Sequence, residues 1–470
     1  MKIQMKPLTF SYTSLSLGII LLSSNCLWAG KIINPWRTTT AIVKDGESFE
    51  VWFDADCGQT VNAVTLQGPY NTVTAAQKVA TGSWVYDQTS SNAYNTRINI
   101  AVPAGVPADR YDLVLHTSSG EVSSPRSVKV VSAFKPDYYI LQLSDTHAFQ
   151  NGYEATLEKI STIVEIANII GPEMVFETGD NLYRPSDVRM NQYFQGDRLR
   201  GTKGFNDFSA PVFIAAGNHD YDMDKDAEEG NYRAKAIWYN HWWGLQAFHF
   251  TYGNGRFMVI NDAWDGYDPS WQIAEELDWL NSVGRGNFRL GAAHIKNQEM
   301  ETFHNGASFN LVLVGHNHHI ASQNPAVLDK DPIQYVANSI RDHFEFNLFR
   351  VNGATGRCVP VSGPTARVQA LRNPDDIKTP ALYQPNLTLE YLRPNDGSCA
   401  TNTATIENHY DFEISPARIR FVLPKGAVYE ASAGTIEQAF DGTSFHIVDV
   451  SVPVQPHSKV AVSLSAKQSR

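Results

Sequence analysis

Tyr138-Tyr139-Ile140-Leu141-Gln142-Leu143-Ser144-Asp145-Thr146-His147 is an apolar run that stops at an acid and a histidine. The same pattern recurs further along. Met174–Glu177 runs into Gly179-Asp180-Asn181, and Val212–Ala216 into Gly217-Asn218-His219-Asp220. Phe288–Ala292 ends near His294, and Leu311–Val314 opens onto Gly315-His316-Asn317-His318. Short apolar runs bounded by glycine and polar groups read as buried strands. Between the first two, Glu154 to Ile170 carries Leu157, Ile160, Ile163, Val164, Ile166, Ala167 and Ile170 at helical spacing. Strands alternating with helices imply a layered α/β domain, whose ligand-binding loops lie at the carboxyl ends of the strands. The polar blocks fall at those ends. Two further β-pairs are expected at Ala247–Asp262 and Gln334–Val351, so the domain spans 137–352.

The blocks supply carboxylate, imidazole and amide oxygen, a ligand set that suits manganese, iron, zinc or nickel. A lone histidine is more often a core or surface residue, and His241, His249 and His304 are read that way. A Gly-Asp or Gly-Asn pair alone usually marks a turn. What sets these blocks apart is their joint occurrence at successive strand ends.

In content and order they resemble the calcineurin-like metallophosphoesterases, with partial similarity to purple acid phosphatases. The resemblance implies a layered metallophosphoesterase β-sandwich core with flanking helices. It also implies two metal ions, which in such sites lie about 3.5–4 Å apart. Asp145 and His147 would bind the first ion and Asp180 would bridge both. Asn218, His294 and His316 would bind the second, with His318 returning to the first. The reaction implied is phosphoester hydrolysis by a metal-activated hydroxide. His219 would contact the substrate and stabilise or protonate the leaving oxygen, with Asp220 orienting it. Asn181 would lie behind the ligands or touch phosphate. Tyr183 matches the iron-binding tyrosine of purple acid phosphatases, but those enzymes have glycine where this chain has His147. Tyr183 is therefore read as a packing residue.

The substrate expected is a small-molecule phosphoester. The five blocks contain no arginine to cradle a phosphate dianion; Arg184 and Arg341 lie nearest in sequence. This favours a phosphodiester over a monoester of the acid phosphatase or nucleotidase kind. The other alternative, a surface-binding protein with an inert central domain, fits poorly with a complete ligand set. Trp238, Tyr239 and Trp242 lie at helical spacing behind the acidic run Asp222, Asp224, Asp226, Glu228 and Glu229, and read as one packed helix face.

On either side the texture is different. Residues 30–133 and 381–466 alternate apolar and polar, as in Thr96-Arg97-Ile98-Asn99-Ile100 and Ala417-Arg418-Ile419-Arg420-Phe421. These are expected to be small antiparallel, Ig-like β-sandwich domains, joined on the C-terminal side by a proline-containing linker at 353–380. They could contact a surface or carbohydrate, or act as spacers. Residues 1–29 have Lys2, Lys6, the apolar run Leu15–Leu22 and Leu27-Trp28-Ala29, the anatomy of a signal peptide. The protein is thus expected to be exported, periplasmic or secreted. Asn25 before Cys26 does not suit a lipidation site. Loss of two lysines and no acid would take the net charge from −11 to −13. Such a charge argues against nucleic-acid binding, which rests on phosphate neutralisation. No later segment is apolar enough to span a membrane. Of the remaining cysteines, Cys358 and Cys399 are expected to pair, leaving Cys57 as a free thiol, read as a small buried residue.

Overall fold

Odd and even residues of the central strands part company in the computed structural model, which describes residues 30–151, 155–221, 231–263, 268–295, 297–318, 333–373 and 383–467. Leu141, Leu143, Val175, Val212 and Ile214 share a core with the helix α1 (Thr156–Ile170). Their neighbours Ile140, Phe176 and Phe213 face the opposite way, onto Val259, Leu290 and Leu313. This is the period-two exposure of a pleated strand buried on both faces.

Two sheets result, stacked through the second of these cores. The first has the order Val212–Ile214, Met174–Glu177, Asp137–Leu143, Glu345–Asn352 and Arg357–Pro360, with its first three strands parallel. The second runs Phe248–Tyr252, Gly255–Val259, Phe288–Ala292, Leu311–Val314 and Ile333–Val336, with its last four parallel. Helices α2 (Asp187–Gln195) and α3 (Tyr232–Trp242) join α1 outside the first sheet through Tyr193, Phe194, Ala236 and Tyr239. Helices α4 (Ser270–Val283) and α5 (Gln298–Ala307) cover the second, packing Leu280 and Phe303 on Met258, Val312 and Val314. Helix α1 stops at Gly171, whose left-handed backbone (φ 66°) lets its amide bond Ala167 O at 2.8 Å.

Several expectations need correction. Gln334–Val351 does not form a β-pair. Ile333–Val336 lies parallel to Leu311–Val314, whereas Glu345–Asn352 crosses to the other sheet, antiparallel to Asp137–Leu143. An apolar run announces a strand but not its partner. The supposed linker is also partly sheet, because Arg357–Pro360 and Arg367–Gln369 both pair with Glu345–Asn352. Finally, Cys358 and Cys399 are free thiols: Cys358 sits on a strand against the inter-sheet core and Cys399 beside Ser398 in a loop. Cys57 is a free thiol as expected, but exposed rather than buried.

The N-terminal β-unit is a continuous run of strands wrapped around Val51, Phe53, Leu66, Ile98, Leu113 and Val128. It is not wholly antiparallel, since Ala41–Lys44 runs parallel to Gly120–Val131. The C-terminal β-unit has a four-stranded sheet and a three-stranded sheet. Its Ile406, Ile419, Phe421 and Val450 belong to the core beneath α1. Among the described residues no helix is long and apolar enough to cross a membrane. The leader and the acidic run at 222–229 lie outside the described residues.

Candidate metal centre

The parallel strands of both sheets release the chain at one edge, so loops distant in sequence meet there. Asp145, His147, Asp180 and His318 present ligand atoms within 4.8 Å of one another, and Asp180, His294 and His316 do the same. Asp180 belongs to both groups. Its Oδ2 lies 3.5 Å from His147 Nε2 and 3.3 Å from His294 Nε2, while Oδ1 accepts the His219 amide at 2.8 Å. Asn218 completes the second group, its Oδ1 3.2 Å from His294 Nε2 and 3.1 Å from His316 Nδ1. In the first group His318 Nε2 lies 3.0 Å from Asp145 Oδ1 and 3.1 Å from His147 Nε2.

These spacings fit metal coordination. Donors held at about 2.1 Å from an ion, at right or tetrahedral angles, are separated by about 3.0–3.4 Å. Asp145 Oδ1 is buried facing the His318 and His147 ring nitrogens at 3.0 and 3.8 Å, whereas Oδ2 takes bonds from Ser144 Oγ and the His316 amide. The electrostatics agree. Burial opposes charge at His294, yet Asp180 and Asp145 hold its imidazole up to about 10, a demand for positive charge that divalent ions meet. His294 Nδ1 donates to Thr178 O at 2.6 Å and so leaves Nε2 as the ligand atom. His316 is exposed while Asp145, Asp180 and His294 are buried, so the cluster opens to solvent on the His316 side.

The loops achieve this with unusual backbone. Asp145, His147, Asp180 and His316 all have left-handed conformations, with φ from 42° to 68°. Such residues persist where surrounding structure fixes them, commonly at functional sites. A side chain at Gly217 would run into the Asp180 amide, and one at Gly315 into Ser144, so both loops need glycine for close approach.

Residues 138–319 match the model of the calcineurin-like phosphoesterase family. That segment is a calcineurin-like phosphoesterase domain. No curated protein matches the chain. Among solved structures, a purple acid phosphatase from yellow lupin (Lupinus luteus) aligns at 14% identity and TM-score 0.37, over 59% of this chain and 57% of that one. The chain therefore spans less than two thirds of that enzyme. A glycosyl hydrolase family 2 member from Bacteroides cellulosilyticus aligns at 8% identity and TM-score 0.27, over 94% of this chain and 76% of that one.

Within the phosphoesterase domain, the residues expected behind the ligands have different employments. The Asp220 carboxylate accepts from the Gly217 amide (2.8 Å), the Asn181 amide (3.0 Å) and Asn181 Nδ2 (2.8 Å). It locks two ligand loops together instead of orienting the His219 ring, and burial pushes it up to about 7. Asn181 is fully buried, its Oδ1 taking a bond from Tyr193 Oη at 3.2 Å, and so faces the fold rather than a substrate. The His219 ring lies 5.0 Å from the His147 ring, at the edge of the cluster. Tyr183 stands outside both ligand groups and carries Arg184 over its ring. Of the aromatic helix, Tyr239 is buried together with Trp243 one turn on, whereas Trp238 and Trp242 are only half-buried.

Two supporting carboxylates escaped the sequence reading. Asp342 Oδ2 lies 3.1 Å from His318 Nδ1, and Asp262 Oδ1 accepts the His294 and Ile295 amides at 3.1 and 3.0 Å. Neither occurs in a ligand block. Asp262 ends an apolar run, which was the only signal available.

Proposed function

We propose that the chain is an exported, dimetal phosphoester hydrolase acting on a small-molecule phosphodiester. The observation that carries this is the pair of ligand groups sharing Asp180. Asp145, His147 and His318 would hold one ion, Asn218, His294 and His316 the other, with Asp180 between them. When bound, such ions supply a nucleophile at neutral pH and neutralise charge on the phosphoryl oxygens.

The chain's own residues do the rest. Asp180 holds the His219 backbone, placing the imidazole at the rim where a hydrogen bond or proton can reach the leaving oxygen. The open His316 side admits substrate. Arg341, beside His318, is engaged by Asp342 (Nη2 at 2.9 Å) and by Gln150 (Nη1 at 3.0 Å). Its charge is compensated within the protein, which suits a diester monoanion better than a monoester dianion. Export is supported by the leader composition of residues 1–29.

The test is hydrolysis of bis-nitrophenyl phosphate beside nitrophenyl phosphate, on stripped protein re-supplied with manganese, iron, zinc or nickel. Metal-dependent turnover that favours the diester and is lost in Asn218→Ala is the expected result. Preference for the monoester would move the assignment to a phosphatase, and failure to bind any metal would remove the catalytic reading.

A further inference from the structure

A chain of buried hydrogen bonds links the N-terminal β-unit to the metal centre. The strands Thr72–Asp87 and Asn92–Ala101 form a long hairpin whose tip enters the phosphoesterase domain. At that tip Asp87 is 1% exposed. Its Oδ1 takes the Thr89 amide at 2.9 Å. Its Oδ2 takes Ser90 Oγ at 2.7 Å, Asn240 Nδ2 at 2.6 Å and Gln246 Nε2 at 2.7 Å. An ionised carboxylate only accepts, so Gln246 must turn its amide nitrogen to Asp87 and its oxygen the other way.

That oxygen takes bonds from Tyr221 Oη at 3.2 Å and Asn261 Nδ2 at 2.7 Å, and Asn261 Nδ2 also reaches Tyr221 Oη at 2.7 Å. Tyr221 ends the single helical turn Asn218–Tyr221, which carries Asn218 and His219. Asn261 precedes Asp262, the carboxylate that holds the His294 and Ile295 amides. One buried carboxylate thus lies behind two of the three ligands that, with Asp180, make up the second group. Asp145 and His318 have other supports.

We propose that Asp87 is a positioning residue for the second metal site, making the N-terminal β-unit a working part of the phosphoesterase centre. The proposal rests on the metal-centre reading above. In Asp87→Asn the new side chain can both donate and accept, so Gln246 can flip. Its NH2 then meets the Asn261 NH2, and the two loops lose their common anchor.

The experiment is zinc titration of stripped protein, read as ions bound per chain and the affinity of each. Wild type is expected to take two zinc ions. Asp87→Asn should bind the first normally and the second at least tenfold more weakly, within the 10–100-fold range of losses behind metal ligands. Tyr221→Phe, which removes only a hydroxyl, should show the same selective loss and decides the matter if Asp87→Asn does not fold. The double variant should lose no more than the larger single one, since both act through one network. Gln88→Ala, at the same tip but bonded to Glu275 on α4, should bind two ions as wild type does. Wild-type affinity for both ions in Tyr221→Phe or in folded Asp87→Asn would overturn the proposal, as would equal weakening of both sites. Wild type failing to bind two ions would instead overturn the metal-centre reading itself.

Discussion

The two flanking β-units hold the phosphoesterase domain with different balances of polar and apolar contact, although Ile33 and Tyr94 of the N-terminal unit also enter the inter-sheet core and Tyr139 Oη donates to Ser415 O of the C-terminal unit. The N-terminal unit grips it with directional polar contacts. Asp87 reaches Asn240 and Gln246, Thr38 Oγ1 donates to Trp243 O at 2.6 Å, and the buried Arg110 caps the Phe205 and Phe208 carbonyls. Thr38 O also accepts the Ile214 amide, closing the edge of the first sheet. The C-terminal unit relies more on apolar burial, laying Ile419 and Phe421 on the core under α1. Away from the metal site, its Arg420 joins Asp109 at 2.6 Å and Asp449 at 2.7 Å. Apolar burial is strong but non-directional, whereas hydrogen bonds between buried groups specify position. One unit should therefore govern where ligands sit, and the other how firmly the whole stands.

The most severe way to break this contrast is Arg420→Leu. It takes the ion-pair partner from Asp109 and leaves Asp449 with Arg418 and Gln438 alone, each carboxylate being no more than 3% exposed, and should cost about 3–5 kcal/mol in denaturant unfolding. Zinc stoichiometry of the folded variant should stay at two; a lost ion would erase the distinction between the units. Ile163→Ala, in the part of α1 that shares its core with Ile419, should cost about 2–5 kcal/mol, again with both ions retained.

Lys129 sharpens the comparison at the junction of the two units. Burial, aided by the nearby Arg418, pushes this amine down to about 7 from 10.5. Between those values the unfolded chain carries the extra proton, so stability should rise with pH, by at most about 1.4 kcal/mol per pH unit. In Lys129→Met that rise should be absent. Parallel profiles for the two proteins from pH 7 to pH 10 would show that the amine is not titrating there.

What could be read from the sequence was whatever sits beside its own strand. Asp145, Asp180, Asn218, His294 and His316 each follow an apolar run within a few residues, so strand ends and candidate ligands were visible together. Partnership across space was not. Glu345–Asn352 joined a sheet that its nearest neighbour in sequence did not, and Asp342 and Asp87 act on loops far from them along the chain. Asp220 was misjudged for the opposite reason. It adjoins His219 in sequence, but the tight turn at Asn218–Tyr221 directs it inward, to Gly217 and Asn181.

The left-handed ligand residues have a consequence for how the site can change. Asparagine, aspartate and histidine are the non-glycine residues most tolerant of that backbone region. They are also among the side chains that bind transition metals. At positions 145, 147, 180 and 316 the Ramachandran map and the metal therefore filter substitutions independently and pass overlapping sets of residues. β-branched replacements fail at the first filter and glycine at the second. A lineage that abandoned catalysis but kept these loops would shed its ligands slowly, because the backbone would go on favouring them after the ions had ceased to matter.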